Sequence, residues 1–286
     1  MTNAAKLFAD LQLPPHLNLE SADPVQSAGT NSVFFCRGRL RGSEVTGYLK
    51  VADRGVESVA NERAILERIH ATEIPVPAVV AFGGPPKQFL FLASVPGETL
   101  WDLIDPRKSD YRKAAVTRNL QAYGATLGQI HGLAIDWSDQ RRTWLERLIG
   151  DERGSDPRSQ ALVAWLVANR PTRIQRTFVH GDFNTANVLI QRGAISGVLD
   201  WEFAGTGWKE YEIAWALRAR VHFLNSIAER DAILSGYERY GHFEPTQLRW
   251  CEVLNYVHFA NWAADSDPSY REFALARAET AAGASM

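Results

Sequence analysis

The sequence is short of cysteine, of lysine and of long apolar runs, and each shortage excludes something. With Cys36 and Cys251 as its only cysteines, it can hold neither a disulfide framework nor a thiol-rich zinc or redox motif. No stretch approaches the ~18 apolar residues of a membrane-spanning helix, and the N-terminus lacks the basic and apolar regions of a secretory leader. Neither sign of charge is in excess: 31 basic and 33 acidic residues leave a formal net charge of -2 on 286 residues. Nucleic acid and anionic membrane are therefore not expected partners. Lysine is the oddest deficit, confined to Lys6, Lys50, Lys87, Lys108, Lys113 and Lys209. What remains reads as a soluble, cytoplasmic globular protein, long enough to bury a core in each of two lobes without disulfides or a structural metal.

Strand signals dominate residues 1–95 and helical periodicity dominates residues 96–286, which predicts a smaller N-terminal lobe and a larger C-terminal one. In the first, residues 32–37 and 45–51 form a hairpin about Arg41-Gly42-Ser43, residues 55–71 have helical spacing, and residues 78–82 and 88–95 are further strands. Pro75 and Pro77 stop the helix, since proline lacks an amide proton and disfavours helix in the residue before it. Helices are expected over residues 111–132, 160–168, 210–224, 227–240, 246–262 and 269–282, around one β-rich island at 178–200.

That island carries the chemistry. Residues 177–190 read TFVHGDFNTANVLI, and after the turn Gln191-Arg192-Gly193 a second strand leads into Gly197-Val198-Leu199-Asp200-Trp201-Glu202. A hairpin of these strands is expected to bring Asn187 and Asp200 together, with Asp182 on the loop just upstream. Two carboxylates and an amide oxygen are hard donors suited to Mg2+ beside a phosphate chain. Asp182 and Asn187 are five positions apart, the spacing of the protein-kinase catalytic loop, where the aspartate handles the acceptor hydroxyl and the asparagine holds a metal. Each residue alone reads equally well as a loop cap; the ordered set does not. His180 alone reads as a metal ligand, a general base or a hydrogen-bonded brace of the loop.

The run from His180 to Asn187, HGDFNTAN, with Leu199-Asp200-Trp201-Glu202, resembles the signature of the aminoglycoside phosphotransferase and choline kinase family, small-molecule kinases of protein-kinase-like fold. The likeness extends to residues 127–131, which resemble the family's helix before the catalytic loop, and to Pro75-Val76-Pro77 after the N-lobe helix. It implies a bilobal α+β fold, Asp182 as catalytic base, Asn187 and Asp200 as metal ligands, His180 as a brace, ATP as co-substrate and Mg2+ as cofactor. It also implies that Ala93 and Val95 offer backbone groups to an adenine. Where the family usually has an aspartate, this chain has Glu212.

The N-terminal half agrees independently. On a helix, Val59, Ile65, Leu66 and Ile69 lie within about 60° of the Glu62 direction, so Glu62 sits on the apolar face and needs a cation. In Gly47-Tyr48-Leu49-Lys50-Val51, Lys50 shares a strand face with Tyr48, opposite Leu49 and Val51. Either it is solvated on an outer face, or it is the cation that meets Glu62 and the nucleotide phosphates. The demand of Glu62 favours the second. The turn over residues 27–32, with Gly29, Thr30 and Asn31, is expected to offer backbone amides to the phosphates, although the G-x-G-x-x-G and Walker A patterns are absent.

After Asp200 fewer than ten residues precede the next helix, and Gly181 stands where a protein kinase would have an arginine to meet a phosphorylated loop. Both point to a small hydroxylated acceptor. Glu202, Glu210, Glu212, Asp265 and Asp267 are available acids for a polyamine sugar, and Trp201, Trp208, Trp215, Tyr256 and Trp262 are available aromatics for a quaternary amine. The expected activity is phosphoryl transfer from ATP to such a hydroxyl. The alternatives are a choline- or ethanolamine-type kinase, a nucleotide-binding pseudokinase serving as a regulatory module, and a metal-dependent phosphohydrolase.

Overall fold

A computed structural model describes residues 3–25, 31–52, 57–84, 87–135, 137, 156–263 and 266–283. The chain divides into two compact units, Met1–Gly97 with Ser196–Phe203, and Glu98–Ile195 with Ala204–Met286. No helix among the described residues is long and apolar enough to cross a membrane.

The first unit contains α1 (Asn3–Asp10), β1 (Leu17–Val25), β2 (Asn31–Leu40), β3 (Ser43–Ala52), α2 (Glu57–Ile69), β4 (Val79–Gly83) and β5 (Phe89–Ala93). Its strands form an antiparallel sheet in the order β1-β2-β3-β5-β4. Arg41 and Gly42 join β2 to β3 with φ of 51° and 86°, the left-handed pair whose twist matches that of a hairpin. Alternation then sorts the side chains of β3. Leu49 and Val51 join Leu19, Cys36, Phe89 and Phe91 in one core, while Lys50 points the other way, toward Glu62 on α2. α2 buries Val59, Ile65, Leu66 and Ile69, the stripe its periodicity predicts. The sequence patterns miss α1 and β1. β1 carries Pro24 and a largely exposed second half, which a sheet tolerates at an edge position such as this one.

The second unit is mainly helical: α3 (Leu100–Ile104), α4 (Val116–His131), α5 (Pro157–Ala168), α6 (Lys209–Ala216), α7 (Ile227–Tyr237), α8 (Pro245–Trp262) and α9 (Pro268–Ala282). Two small sheets accompany them: one in the order β6 (Glu98–Thr99), β8 (Val188–Gln191), β9 (Ala194–Val198), with β6 and β8 antiparallel, and the antiparallel pair β7 (Arg176–Val179) with β10 (Gly205–Trp208). Two helices are shorter than their periodicity suggests. Residues before α4 are held outside it, because the Arg112 N–H donates to the Leu103 carbonyl. α6 stops at Ala216 rather than near 224, and the Ala219 N–H leaves the helical ladder to donate to Tyr256 Oη at 3.0 Å.

α4 and α7 approach until their backbones touch. A Cβ on Gly124 would lie 1.9 Å from the Ile233 carbonyl oxygen, and one on Gly236 2.1 Å from that of Gln121. Gly124→Ala and Gly236→Ala should each force the helices apart and cost roughly 1–3 kcal/mol, seen as a lower urea midpoint with little change in far-ultraviolet circular dichroism.

Candidate active site

In the first unit, Lys50 Nζ donates to both oxygens of Glu62, at 2.8 and 2.7 Å, and to Asp200 Oδ1 at 2.7 Å. The residues singled out by strand alternation and by helical stripe thus meet in one ion cluster. Glu62 is fully buried and Lys50 nearly so, whereas Asp200 keeps 36% of its side chain exposed. Asp200 follows β9 (Ala194–Val198) with φ of 66°, a left-handed conformation that aspartate tolerates better than most residues. The turn aims the Trp201 N–H at Glu62 Oε1, 3.3 Å away. Burial works against the Lys50 ammonium, but the charges of Glu62 and Asp200 outweigh it and hold its pKa above the ordinary lysine value. Burial pushes Glu62 upward, against the pull of Lys50 and the Trp201 amide. With both carboxylates ionised, one cation serves two anions, and the excess negative charge falls to the exposed one, Asp200.

Neighbouring amides lock the same turn. Asn61 Nδ2 donates to the Glu202 carbonyl at 3.0 Å, and Asn31 Nδ2 to Glu202 Oε2 at 2.7 Å. Asn31, expected to offer its backbone amide to the phosphates, opens β2 with its side chain buried against Glu202. Gly29 and Thr30 lie outside the described residues. Ala93 closes β5, its N–H donating to the Ala78 carbonyl at 2.9 Å, and both Ala93 and Val95 are half-buried.

In the second unit, Asp182 is held from several sides. Trp215 Nε1 and Asn184 Nδ2 donate to its Oδ1 at 2.9 and 3.0 Å, and Asn187 Nδ2 donates to its Oδ2 at 3.2 Å and to its carbonyl at 3.0 Å. Asn184 also accepts the Ala186 N–H at 2.9 Å, capping the single 3-10 turn Thr185–Asn187. Because the Asn187 nitrogen faces Asp182, its amide oxygen is the atom left to meet a cation. Asp200 in the first unit and Asn187 in the second are oxygen donors of the kind that fits Mg2+.

His180 braces the loop: its Nδ1 accepts the Asp182 N–H at 3.2 Å, and its ring meets Phe183 edge-on. Gly181 has φ of 86°, which a side chain would strain, so glycine rather than arginine suits this position. Glu212, fully buried on α6, accepts the backbone N–H of His180 at 3.0 Å and that of Gly181, and His131 Nε2 donates to it at 2.9 Å. His131 Nδ1 in turn lies 2.9 Å from Tyr237 Oη. Burial works against the Glu212 carboxylate, but the hydrogen bond and charge of His131 outweigh it and hold its pKa below the usual range.

Glu212 is therefore a buried support of the Asp182 loop and not an acid open to an acceptor. Glu202 is engaged with Asn31, and Glu210 accepts Trp208 Nε1 at 2.8 Å and the Glu244 N–H at 3.2 Å. Asp267 caps α9 by accepting the Tyr270 N–H at 3.0 Å, and Asp265 lies outside the described residues. Of the aromatics, Trp201 and Trp208 are core and Trp262 is exposed. Trp215 meets Asp182, a contact no spacing rule announces.

A family model described as the phosphotransferase enzyme family matches residues 23–251. The chain belongs to this phosphotransferase family. Its relatives include acyl-CoA dehydrogenase family member 10 of Mus musculus, 24% identical over 62% of this chain and 19% of that protein. Homoserine kinase of Zymomonas mobilis is 26% identical over 62% of this chain and 59% of its own, and aminoglycoside 3'-phosphotransferase of Escherichia coli is 24% identical over 73% and 80%. The chain thus spans about a fifth of the length of the first relative and less than two thirds of the second. Among solved structures, a thermostable mutant of aminoglycoside phosphotransferase APH(4)-Ia, in complex with ADP and hygromycin B, is similar over 100% of both chains, with a TM-score of 0.66 and 17% identity. The fold is that of the protein-kinase-like α+β phosphotransferases, and the relatives do not favour the amino-alcohol alternative.

Because its pKa is depressed in the fold, Glu212 contributes stability that is present above the ordinary carboxyl value of 4.5 and is lost as pH falls through the folded value. Glu212→Gln should lower stability by roughly 2–4 kcal/mol at neutral pH and flatten the wild-type decline below pH 4.5, both read from urea unfolding across pH.

Proposed function

We propose that the protein transfers the γ-phosphoryl group of ATP to a hydroxyl of a small molecule in the cytoplasm, with Mg2+ as cofactor. The Lys50–Glu62 pair carries this reading: an ammonium held on a β-strand by a buried helix carboxylate is the device by which kinases fix nucleotide phosphates. Lys50 binds the phosphates, and Glu62 keeps it in place. Backbone amides about Gly29, Thr30 and Asn31 contact the same phosphates, and Ala93 and Val95 meet the adenine. Asp200 and Asn187 offer oxygen atoms to the metal, which supplies charge neutralisation along the phosphate chain when bound.

Asp182 orients the acceptor hydroxyl and takes its proton as the new O–P bond forms and the bond from the γ-phosphorus to the β,γ-bridging oxygen breaks, with ADP as the leaving group. Its carboxylate is already fixed by Trp215, Asn184 and Asn187, so the base reaches the reaction without reorganising. Little covalent chemistry is asked of the chain; in-line positioning and electrostatics supply the rate. Membership of the phosphotransferase family, and relatives named for hydroxyl-bearing acceptors, support the same reaction class.

Asp182→Ala should reduce turnover at least about 1,000-fold while ATP affinity by calorimetry stays close to wild type; full activity would remove Asp182 from this role. Lys50→Arg should also lose most of its activity, because a planar guanidinium cannot stand between Glu62, Asp200 and a phosphate as a compact ammonium does. Wild-type kinetics in that variant would overturn the assignment of Lys50.

A further inference from the structure

Arg218 takes part in none of the interactions above. It lies two residues past α6, is only 8% exposed, and has its guanidinium carbon 4.3 Å from the Trp215 ring centroid and 3.8 Å from that of Phe259. Two aromatic rings clamp it, yet neither its Nε nor its Nη1 has a hydrogen-bond acceptor among the described residues. Burial, with the Arg220 guanidinium beside it, pushes its pKa down to about 9, so it remains charged at neutral pH. A buried cation without acceptors costs several kcal/mol, and cation–π contacts return only about 1–2 kcal/mol each. The rings and the charge of Asp182 offset part of that cost but give Nε and Nη1 no acceptor among the described residues, and an anion would.

The place of that anion is set by Trp215. The indole that supports Arg218 is the one whose Nε1 donates to Asp182 Oδ1, so the guanidinium stands one side chain away from the carboxylate that receives the acceptor hydroxyl. The backbone that presents Arg218 is fixed next door, where the Ala219 N–H donates to Tyr256 Oη. Charge argues in the same direction. Glu202, Glu210 and Glu212, the acids that would attract a polyamine, are buried and engaged, whereas Arg218 and Arg220 would repel one.

We infer that Arg218 binds a carboxylate carried by the acceptor, and that the acceptor class is a small hydroxy acid whose hydroxyl and carboxylate lie an indole's width apart. A carboxylate matches the planar guanidinium and satisfies its unpartnered N–H groups. This rests on the phosphotransfer reading, in which Asp182 receives the hydroxyl.

The test compares wild type with Arg218→Met by ADP release from ATP and Mg2+. Acceptors are 3-hydroxybutyrate, 4-hydroxybutyrate, L-serine and L-homoserine, each beside its carboxamide, with kanamycin as a polycation. The same acids are titrated calorimetrically without nucleotide, and melting temperatures confirm folding. At least one acid should be preferred over its carboxamide by at least about 30-fold in kcat/KM. Arg218→Met should raise the KM for that acid by a similar factor and erase the preference, leaving the KM for ATP and the melting temperature near wild type; Arg218→Lys should restore part of the affinity. Equal use of acids and carboxamides, preference for kanamycin, or an effect of Arg218→Met confined to the KM for ATP would overturn the inference, the last by showing that nucleotide phosphate is the anion. Should no acceptor release ADP, phosphotransfer itself fails and the titration decides Arg218 separately. Binding of an acid that is lost in Arg218→Met upholds its site, and no binding overturns it.

Discussion

A carboxylate with no exposed surface persists only where its charge is met, and Glu62 imposes that condition on the whole first unit. β3 must keep the register that turns Lys50, and not Leu49, toward α2, because a slip of one residue would send every side chain of the strand to the opposite face. The turn after β9 must bend through a left-handed Asp200 so that the Trp201 amide and the Asp200 carboxylate both reach the Lys50–Glu62 pair. Asn61, beside Glu62 on α2, ties the Glu202 carbonyl to the same place. The return of Ser196–Phe203 to the first unit follows from these bonds.

The second unit obeys the same constraint around Glu212. Its buried charge is met by His131 and by two backbone amides, and those amides belong to the loop that presents Asp182. Gly181 must be able to adopt a left-handed conformation for its amide to face α6. The glutamate that stands in place of the family's usual aspartate therefore remains in a supporting position, reaching both amides and His131 from one helix. A depressed pKa at Glu212 and an elevated one at Lys50 have one cause: partners stabilise the charged form more than burial penalises it.

Several of these features are legible without coordinates. Glu62 is conspicuous as a carboxylate on an apolar helical stripe, and Lys50 as the polar member of an alternating strand; two independent periodicities converge on one ion pair. Asp182 and Asn187 are visible through their spacing, and the hairpin turn through Arg41-Gly42. Less legible are residues whose role depends on depth. Glu202, Glu210 and Glu212 read as available acids, because a sequence does not record that each is enclosed and already bonded. Asn31, Asn61, Trp215 and Arg218 follow no helical or strand period that separates them from ordinary polar or aromatic positions. The end of α6 is hidden for a related reason, since the side chain that diverts the Ala219 amide belongs to a distant helix.

By itself the sequence determined the local conformations and the identity of the charges that would have to be buried, because those depend on neighbours two to five residues away. Only the tertiary structure decided which partner each charge found, and which donors were left without an acceptor among the described residues. The physical reason is that ionic and hydrogen-bond energies depend on distance through space and on exclusion of water, and neither is a function of separation along the chain. Glu62 and Arg218 are both charged side chains in apolar surroundings. The fold gives Glu62 a lysine and leaves two nitrogens of Arg218 without an acceptor among the described residues.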